Sequence, residues 1–415
     1  MKTFINSFVY NLFMLKTTIK KVVQAQTKEL SAFDFGVKRD NLSNLKPLKG
    51  VASVLSGIRR CGKSTLMQQI KKTTPKAYYF NFDDPKGAGF KVEDFEKLDQ
   101  VFSEEFGESN FYFFDEIQNV DKWELFIRKL VDNKKQVIIT GSNASLLSKE
   151  LGTRLTGRHL RTEIFPFSFN EFLKYKKQKP SIDSFKNYFE KGGFPEYLSQ
   201  KKPQLLEELL NDIIARDIVV RQKLRERKTI KELTVYLLSN LGKEFSFNNL
   251  KKTFNLGSVN TAISFISYLE DSYLLFTIEK FDYSIKKRLI APKKVYCIDN
   301  GFASINSVSF SEDKGRMLEN IVFLGLKRRQ QETYYFKEKN ECDFVVRKNT
   351  KIIKAMQVCF NLNEENKNRE INGLMDAMEK FNLNEGLILT YNQEDKLQEK
   401  GKTLIVKPVW KWLLE

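Results

Sequence analysis

Between residues 51 and 167 the chain alternates short apolar runs with amphipathic stretches. The runs VASVLS, AYYFNFDD, NFYFFDE, KQVIITGS and LRTEIFPF predict strands, and KSTLMQQIKK, WELFIRKLVDN and ASLLSKELGTRL predict helices between them. Apolar strands separated by helices point to a parallel sheet covered on both faces. From residue 168 to 227 the pattern is helical, with FNEFLKYKK, SFKNYFEKGG and LLEELLNDIIARDIVVRQ. From Lys228 to Asp282 it predicts three short helices and then a β-hairpin; Ser246 is placed to cap the second helix and Ser258 the third. After about Gly315 the order is helix, two or three strands, helix, strand. The expected segments are therefore a helical lead-in at 1–45, an α/β core at 46–167, a helical lid at 168–227, a fourth segment at 228–300 and a C-terminal α/β domain at 301–415. The first 18 residues are apolar for about a dozen positions, too few to span a bilayer. No small-residue cleavage site follows them directly, so a packed leading helix is expected rather than a signal peptide. An interfacial helix on a membrane is the alternative.

Composition narrows the chemistry. At 415 residues with 41% hydrophobic content, the chain has material for two or three packed domains. Its four cysteines, Cys61, Cys297, Cys342 and Cys359, are scattered, without zinc or disulfide spacing, and read as those of a reduced cytoplasmic protein. The only histidine is His159, which excludes His-based triads and multi-histidine metal sites. A net charge of +18 favours polyanions such as nucleic acid or acidic lipid, though Lys-rich usage throughout the chain would give the same total.

The sharpest local signal is Gly57-Ile58-Arg59-Arg60-Cys61-Gly62-Lys63-Ser64, which fits G-x-x-x-x-G-K-[ST] between a strand-like and a helix-like run. Its glycines let backbone N–H groups wrap phosphates at a helix N-terminus. Lys63 is expected to reach the β- and γ-phosphates of ATP and Ser64 to ligate Mg²⁺, with Thr65 supporting the helix start. A second acidic element is needed. The run NFYFFDEIQ supplies Asp115 for the metal and Glu116 for the attacking water, both at the end of an apolar strand. The next strand ends in Ser142 and Asn143, which could meet the γ-phosphate or the lytic water. Arg154, Arg158 and Arg161 follow as candidates for an arginine that stabilises charge on the transferring phosphoryl.

Taken in order, GIRRCGKST, FFDEIQ, ITGSNASLLS, LTGRHL and PFSFNEFL resemble the bacterial and archaeal AAA-type ATPases. With GGFPEYL, DIVVR and KVYCIDNGF, the chain is similar to the P-loop family that carries a C-terminal restriction-endonuclease-like domain of unknown function. The resemblance covers nearly everything after about Leu30. It implies an AAA-type parallel sheet with a helical lid, a sensor at Ser142-Asn143, and Arg158 acting in a neighbouring subunit, hence a homo-oligomer.

Residues 228–282 resemble a winged helix, so Asn260 at the start of its third helix, with Lys251 and Lys252, are candidate DNA contacts; Lys286, Lys287 and Arg288 could also meet phosphates. Such modules serve equally as packing or oligomerisation units. The last domain resembles the endonuclease fold, with Glu319 and Asp343 as candidate acids. Where that chemistry needs Glu-x-Lys or Asp-x-Lys, the chain has Gln357-Val358-Cys359, which points to a degenerate nuclease site. The function expected is ATP hydrolysis with Mg²⁺ coupled to rearrangement of C-terminal modules on DNA. The alternatives are a nucleotide-controlled switch acting on a protein partner and an ATP-gated endonuclease.

Overall fold

The computed structural model describes residues 14–45, 47–142, 157–308 and 313–415. The chain forms two compact units. One draws on Met1–Ser56 and Lys63–Thr162, the other on Gly57–Gly62 and Glu163–Glu415. The boundaries expected at 45/46, 167/168, 227/228 and 300/301 all fall inside these units and are proposed subdivisions of them.

In the first unit the strands are β1 (Ala52–Ser56), β2 (Tyr78–Asn81), β3 (Phe111–Asp115), β4 (Gln136–Gly141) and β5 (His159–Glu163), in the order β2-β3-β4-β1-β5. The pairs β1/β4, β3/β4 and β2/β3 are parallel, with Ala52 opposite Val137 and Asn81 opposite Asp115. Strands buried on both faces need uninterrupted apolar runs, and β1 is buried at every position. Helices α1 (Lys16–Ser31), α2 (Lys63–Lys72), α3 (Phe95–Phe106) and α4 (Glu124–Asp132) complete the described part of this unit. The strand pattern foretold all five strands, and α1 falls within the helical lead-in expected at 1–45; α3 was not foreseen. Both are amphipathic: α3 buries Phe95, Leu98, Val101 and Phe102, and α1 buries Ile19, Val22 and Val23 in the same apolar cluster. Phe95 stacks on Phe126 at 4.6 Å, in a core where each buried phenyl contributes roughly 1.5–3 kcal/mol of transfer free energy. Gln26 of α1 both donates to and accepts from the Asn81 backbone, satisfying polar groups at the end of edge strand β2. The part of the expected leading helix before residue 14 and the helix expected at 144–155 lie outside the described residues.

The second unit opens with α5 (Phe169–Lys176), α6 (Ile182–Lys191), α7 (Pro195–Gln200) and α8 (Gln204–Asp212), continued by a π-helical stretch, Ile213–Val220. Then come α9 (Arg227–Leu238), β6 (Glu244–Phe245), α10 (Phe247–Thr253), α11 (Val259–Asp271), β7 (Leu275–Glu279), α12 (Ile285–Ile290) and β8 (Lys293–Cys297). The three strands form one sheet, β6-β8-β7, and Ser246 and Ser258 accept from the backbone N–H groups of Asn249 and Thr261. The short helix α12 inside the β7/β8 connection was not foreseen. The rest is α13 (Asn300–Asn306), α14 (Lys314–Arg328), β9 (Glu332–Lys337), β10 (Glu341–Lys348), β11 (Lys351–Val358), α15 (Lys367–Lys380), β12 (Glu385–Thr390), β13 (Asp395–Glu399), β14 (Lys402–Pro408) and α16 (Val409–Trp412). Its six-stranded mixed sheet runs β13-β14-β12-β11-β10-β9, two or three strands more than the pattern predicted.

Two quoted motifs meet in this unit. Asp299 caps α13 by accepting from the Phe302 N–H and also accepts from the Gly193 N–H at 2.6 Å. A Cβ on Gly192 would lie 2.0 Å from the Asp299 carboxylate, so only glycine fits there. Burial pushes the Asp299 carboxyl up to about 6 against the pull of those N–H donors.

Candidate nucleotide site and a buried acidic centre

Lys63 is the first residue of α2, and its ammonium, 4% exposed, lies 3.5 Å from a Glu116 carboxylate oxygen. Asp115 ends β3 and is 2% exposed. Its carboxylate accepts the Thr140 hydroxyl of β4 and the Tyr79 hydroxyl of β2, the latter at 3.2 Å. Burial raises the Asp115 carboxyl above the ordinary aspartate range, and the Glu116 charge adds to this; hydrogen bonds from Thr140 and Ser64 and the Lys63 charge oppose it. A carboxylate in that position gains from a cation, and Ser64 and Asp115 are the residues that would hold one. Glu116 stands at φ 50°, a left-handed turn out of the strand, and its N–H donates to Thr140 Oγ1 at 2.8 Å. Gln118 donates to its other carboxylate oxygen. Thr140 thus links both acids; sequence reading passed over it for Ser142, two positions on. Ser142 Oγ is buried and has no hydrogen-bond partner among the described residues, a costly state that a ligand atom could relieve. Asn143 and Arg154 lie outside the described residues.

Residues 57–62 belong to the second unit. Gly57 is obligatory, because a Cβ would sit 2.1 Å from the Ile164 carbonyl oxygen. Gly62 has φ 97°, and Arg60 is also left-handed. Ile58 and Cys61 are fully buried. Arg59 makes a two-pronged bond to buried Asp217 of the π-helical stretch, 2.5 and 3.0 Å, and Arg60 pairs with Glu196 at 2.9 Å. Asp217 belongs to the DIVVR run, whose partner sequence reading did not identify. Ser64 and Thr65 are half-buried on α2. Arg158, half exposed, pairs with Asp132 at the end of α4, and Arg161 donates to Ser56 Oγ at 2.9 Å.

A second cluster lies wholly in the second unit. Glu319 of α14, Asp343 of β10 and Gln357 of β11 are brought together: Gln357 accepts the Asp343 N–H, and Asp343 accepts the Val358 N–H at 3.0 Å. At their centre is a residue that sequence reading missed, Lys294 of β8. Its ammonium lies 3.1 Å from Glu319, 2.7 Å from Glu341 and 3.1 Å from Asp343. Tyr296 donates to Glu319 at 2.7 Å, and Gln357 donates to Glu370 at 2.7 Å. Burial opposes the Lys294 charge, but Glu319 and Asp343 outweigh it and hold the ammonium well above the usual lysine value. Burial, then the Glu319 charge, pushes Asp343 up to about 7, with Lys294 pulling the other way. Glu341 was findable, because it shares a strand face with Asp343 two positions on. Cys359 is buried as well. Among the described residues, no group of three or more His, Cys, Asp or Glu is arranged to hold a metal ion.

Lys251 and Lys252 on α10 and Asn260 on α11 are exposed, as are Lys286 and Lys287; Arg288 donates to the Tyr334 hydroxyl. No helix among the described residues is long and apolar enough to cross a membrane.

Comparison with known proteins gives the family context. Residues 50–173 match the AAA domain, and residues 182–311 match a domain of unknown function, DUF8612. The uncharacterized protein MJ1544 of Methanocaldococcus jannaschii is 37% identical over 410 residues, covering 91% of each chain. An uncharacterized protein of Haemophilus influenzae is 29% identical, covering 87% of this chain and 94% of its own. A solved structure of AMPPCP-bound DnaA from Aquifex aeolicus aligns over 63% of this chain and 90% of its own at 16% identity. Its TM-score of 0.26 is too low to carry an argument. The AAA match implies nucleotide binding; neither family match bears on an endonuclease-like C-terminus.

Proposed function

The chain belongs to the family of the Methanocaldococcus jannaschii protein MJ1544, and from that premise we propose that it is an AAA-type ATPase, hydrolysing ATP with Mg²⁺ and coupling turnover to rearrangement of its C-terminal modules on DNA. The observation that carries this reading is the set of buried Lys63, Asp115 and Thr140 with half-buried Glu116 at the ends of β3 and β4 and the start of α2. Lys63 would turn its ammonium from Glu116 to the phosphates, and Glu116 would then be free to take a proton from water. Ser64 and Asp115 would hold Mg²⁺, the ion that supplies charge neutralisation to the transferring phosphoryl. The loop residues Gly57–Gly62 would cradle the phosphates through their N–H groups. Asn143 as sensor and Arg158 as the arginine offered to a neighbouring subunit rest on the family resemblance. Arg158→Ala chains mixed with Lys63→Ala chains should recover part of the turnover if the arginine is shared; no recovery, with a monomeric mass in ATP, would rule sharing out.

The DNA part of the reading rests on the +18 charge, on the helix–strand–helix–helix–hairpin order from α9 to β8, which supports a winged helix, and on exposed Lys251, Lys252 and Asn260. ATPase activity measured with and without single- and double-stranded DNA at stated salt tests it. Stimulation by DNA is expected, and affinity should fall with salt by a slope of about −0.9 per phosphate contacted. Lys251→Glu with Lys252→Glu should flatten that slope. No DNA binding at low salt would favour a second reading, a slow nucleotide switch acting on a protein partner. One observation speaks for that switch: the phosphate loop's Arg59 is forked onto buried Asp217, tying the loop to the helical stretch. The endonuclease-like domain is proposed to bind without efficient cutting, because Gln357 and Cys359 stand where an acid and a lysine are needed.

A further inference from the structure

Lys294 lies on β8, a strand of the three-stranded sheet, yet its side chain ends among carboxylates of α14 and β10, which bounds the six-stranded sheet's first hairpin. The ammonium is 2% exposed and meets the oxygens of Glu319, Glu341 and Asp343 at 2.7–3.1 Å. These carboxylates are held by other contacts besides the lysine. Asp343 accepts the Val358 N–H, Glu319 accepts the Tyr296 hydroxyl, and Glu341 also pairs with Lys337. Backbone crowds Glu319 from behind, since a Cβ on Gly242 would come within 2.8 Å of its carboxylate. Carboxylate oxygens are the donors that small divalent ions take, and here three of them meet an ammonium, with no arrangement of three or more acids around a metal position among the described residues.

We infer that Lys294 is a tethered cation that closes this centre: its single charge offsets part of that of Glu319, Glu341 and Asp343, its ammonium occupies the place a divalent ion would take, and opening depends on withdrawal of β8. The contact is therefore autoinhibitory for any metal-dependent act of the C-terminal domain. The residue that blocks the site comes from a different sheet, and the same strand carries Tyr296, so movement of β8 would free Glu319 of both the ammonium and the tyrosine hydroxyl. The inference is independent of ATP hydrolysis and can fail or stand without it.

The test is Mn²⁺ binding to the full chain without nucleotide, read by the electron-paramagnetic-resonance signal of free Mn²⁺, together with thermal melting. The wild-type chain and Asp343→Asn should give the same isotherm, and neither melting temperature should respond to Mn²⁺ through this centre. Lys294→Met should gain a saturable Mn²⁺ site, with a melting temperature that rises as Mn²⁺ is added, and adding Asp343→Asn should remove both gains. A Lys294→Met chain that folds only in Mn²⁺ would support closure equally. Lys294→Arg, which keeps a cation, should stay closed. An Asp343-dependent Mn²⁺ site in the wild-type chain would overturn the inference, as would a Lys294→Met chain that gains no site or stays unfolded in Mn²⁺.

Discussion

Lys63 and Lys294 are both buried lysines facing carboxylates, and they differ in how tightly those carboxylates hold them. Lys63 approaches Glu116 at 3.5 Å, beside an Asp115 whose charge is disfavoured by burial. Lys294 meets three carboxylates at 2.7–3.1 Å and is held charged by them. Charge-assisted hydrogen bonds shorten to about 2.7–2.9 Å when they are fully made, so the first contact is looser than the second. The proposed function needs the first lysine to exchange its partner for a phosphate, whereas the second has its charge taken up by three carboxylates. On the proposed reading the same residue types make a nucleotide site in one unit and a closed centre in the other, and contact geometry separates them where composition cannot.

The largest contrast should come from removing each lysine. Lys63→Met should abolish ATP turnover while leaving the melting temperature within a few degrees of the wild-type value. Lys294→Met without added metal should cost about 3–5 kcal/mol of stability, because it strands buried carboxylates without their cation. Denaturant unfolding alongside an ATPase assay checks both arms, and equal stability loss in the two variants would break the comparison.

A smaller effect concerns pH. Asp343 is pushed up to about 7 in the folded chain, above its ordinary aspartate value. An acid raised on folding keeps a proton that the unfolded chain releases, so its contribution is full below the ordinary aspartate range and is lost as pH rises through about 7. Unfolding free energy should therefore decline from about pH 4 to about pH 7, and Asp343→Asn should flatten that decline. A decline unchanged in the variant would locate the titration elsewhere. Thr140→Val should give the smallest effect. Losing the hydroxyl that serves Asp115 and the Glu116 N–H costs about 1–3 kcal/mol of stability and lowers turnover by less than loss of Glu116 itself.

Much of the first unit was legible. Its central strands β1, β3 and β4 are buried at nearly every position, and the Gly57–Ser64 motif lies between β1 and α2 as the pattern predicts. Helix α3 escaped notice because its apolar positions Phe95, Leu98, Val101 and Phe102 are separated by charged residues, and its aromatics blend into a phenylalanine-rich chain. Thr140 was passed over because a threonine inside an apolar strand reads as a β-former; only its register beside Asp115 gives it a role. The acidic centre was half legible. Glu319, Asp343 and Gln357 could be picked out by resemblance, but Lys294 stands 25 positions before Glu319 and 49 before Asp343, on a strand of another sheet. No local period encodes such a meeting; it arises from tertiary packing alone.

The central claim is that the buried set around Lys63 hydrolyses ATP with Glu116 as the base. Its most direct test is to measure nucleotide binding and Mg²⁺-dependent turnover on the same preparation of Glu116→Gln beside the wild-type chain. The account predicts retained binding with turnover lower by roughly 10²-fold or more. Turnover at the wild-type rate, with binding intact, would contradict it.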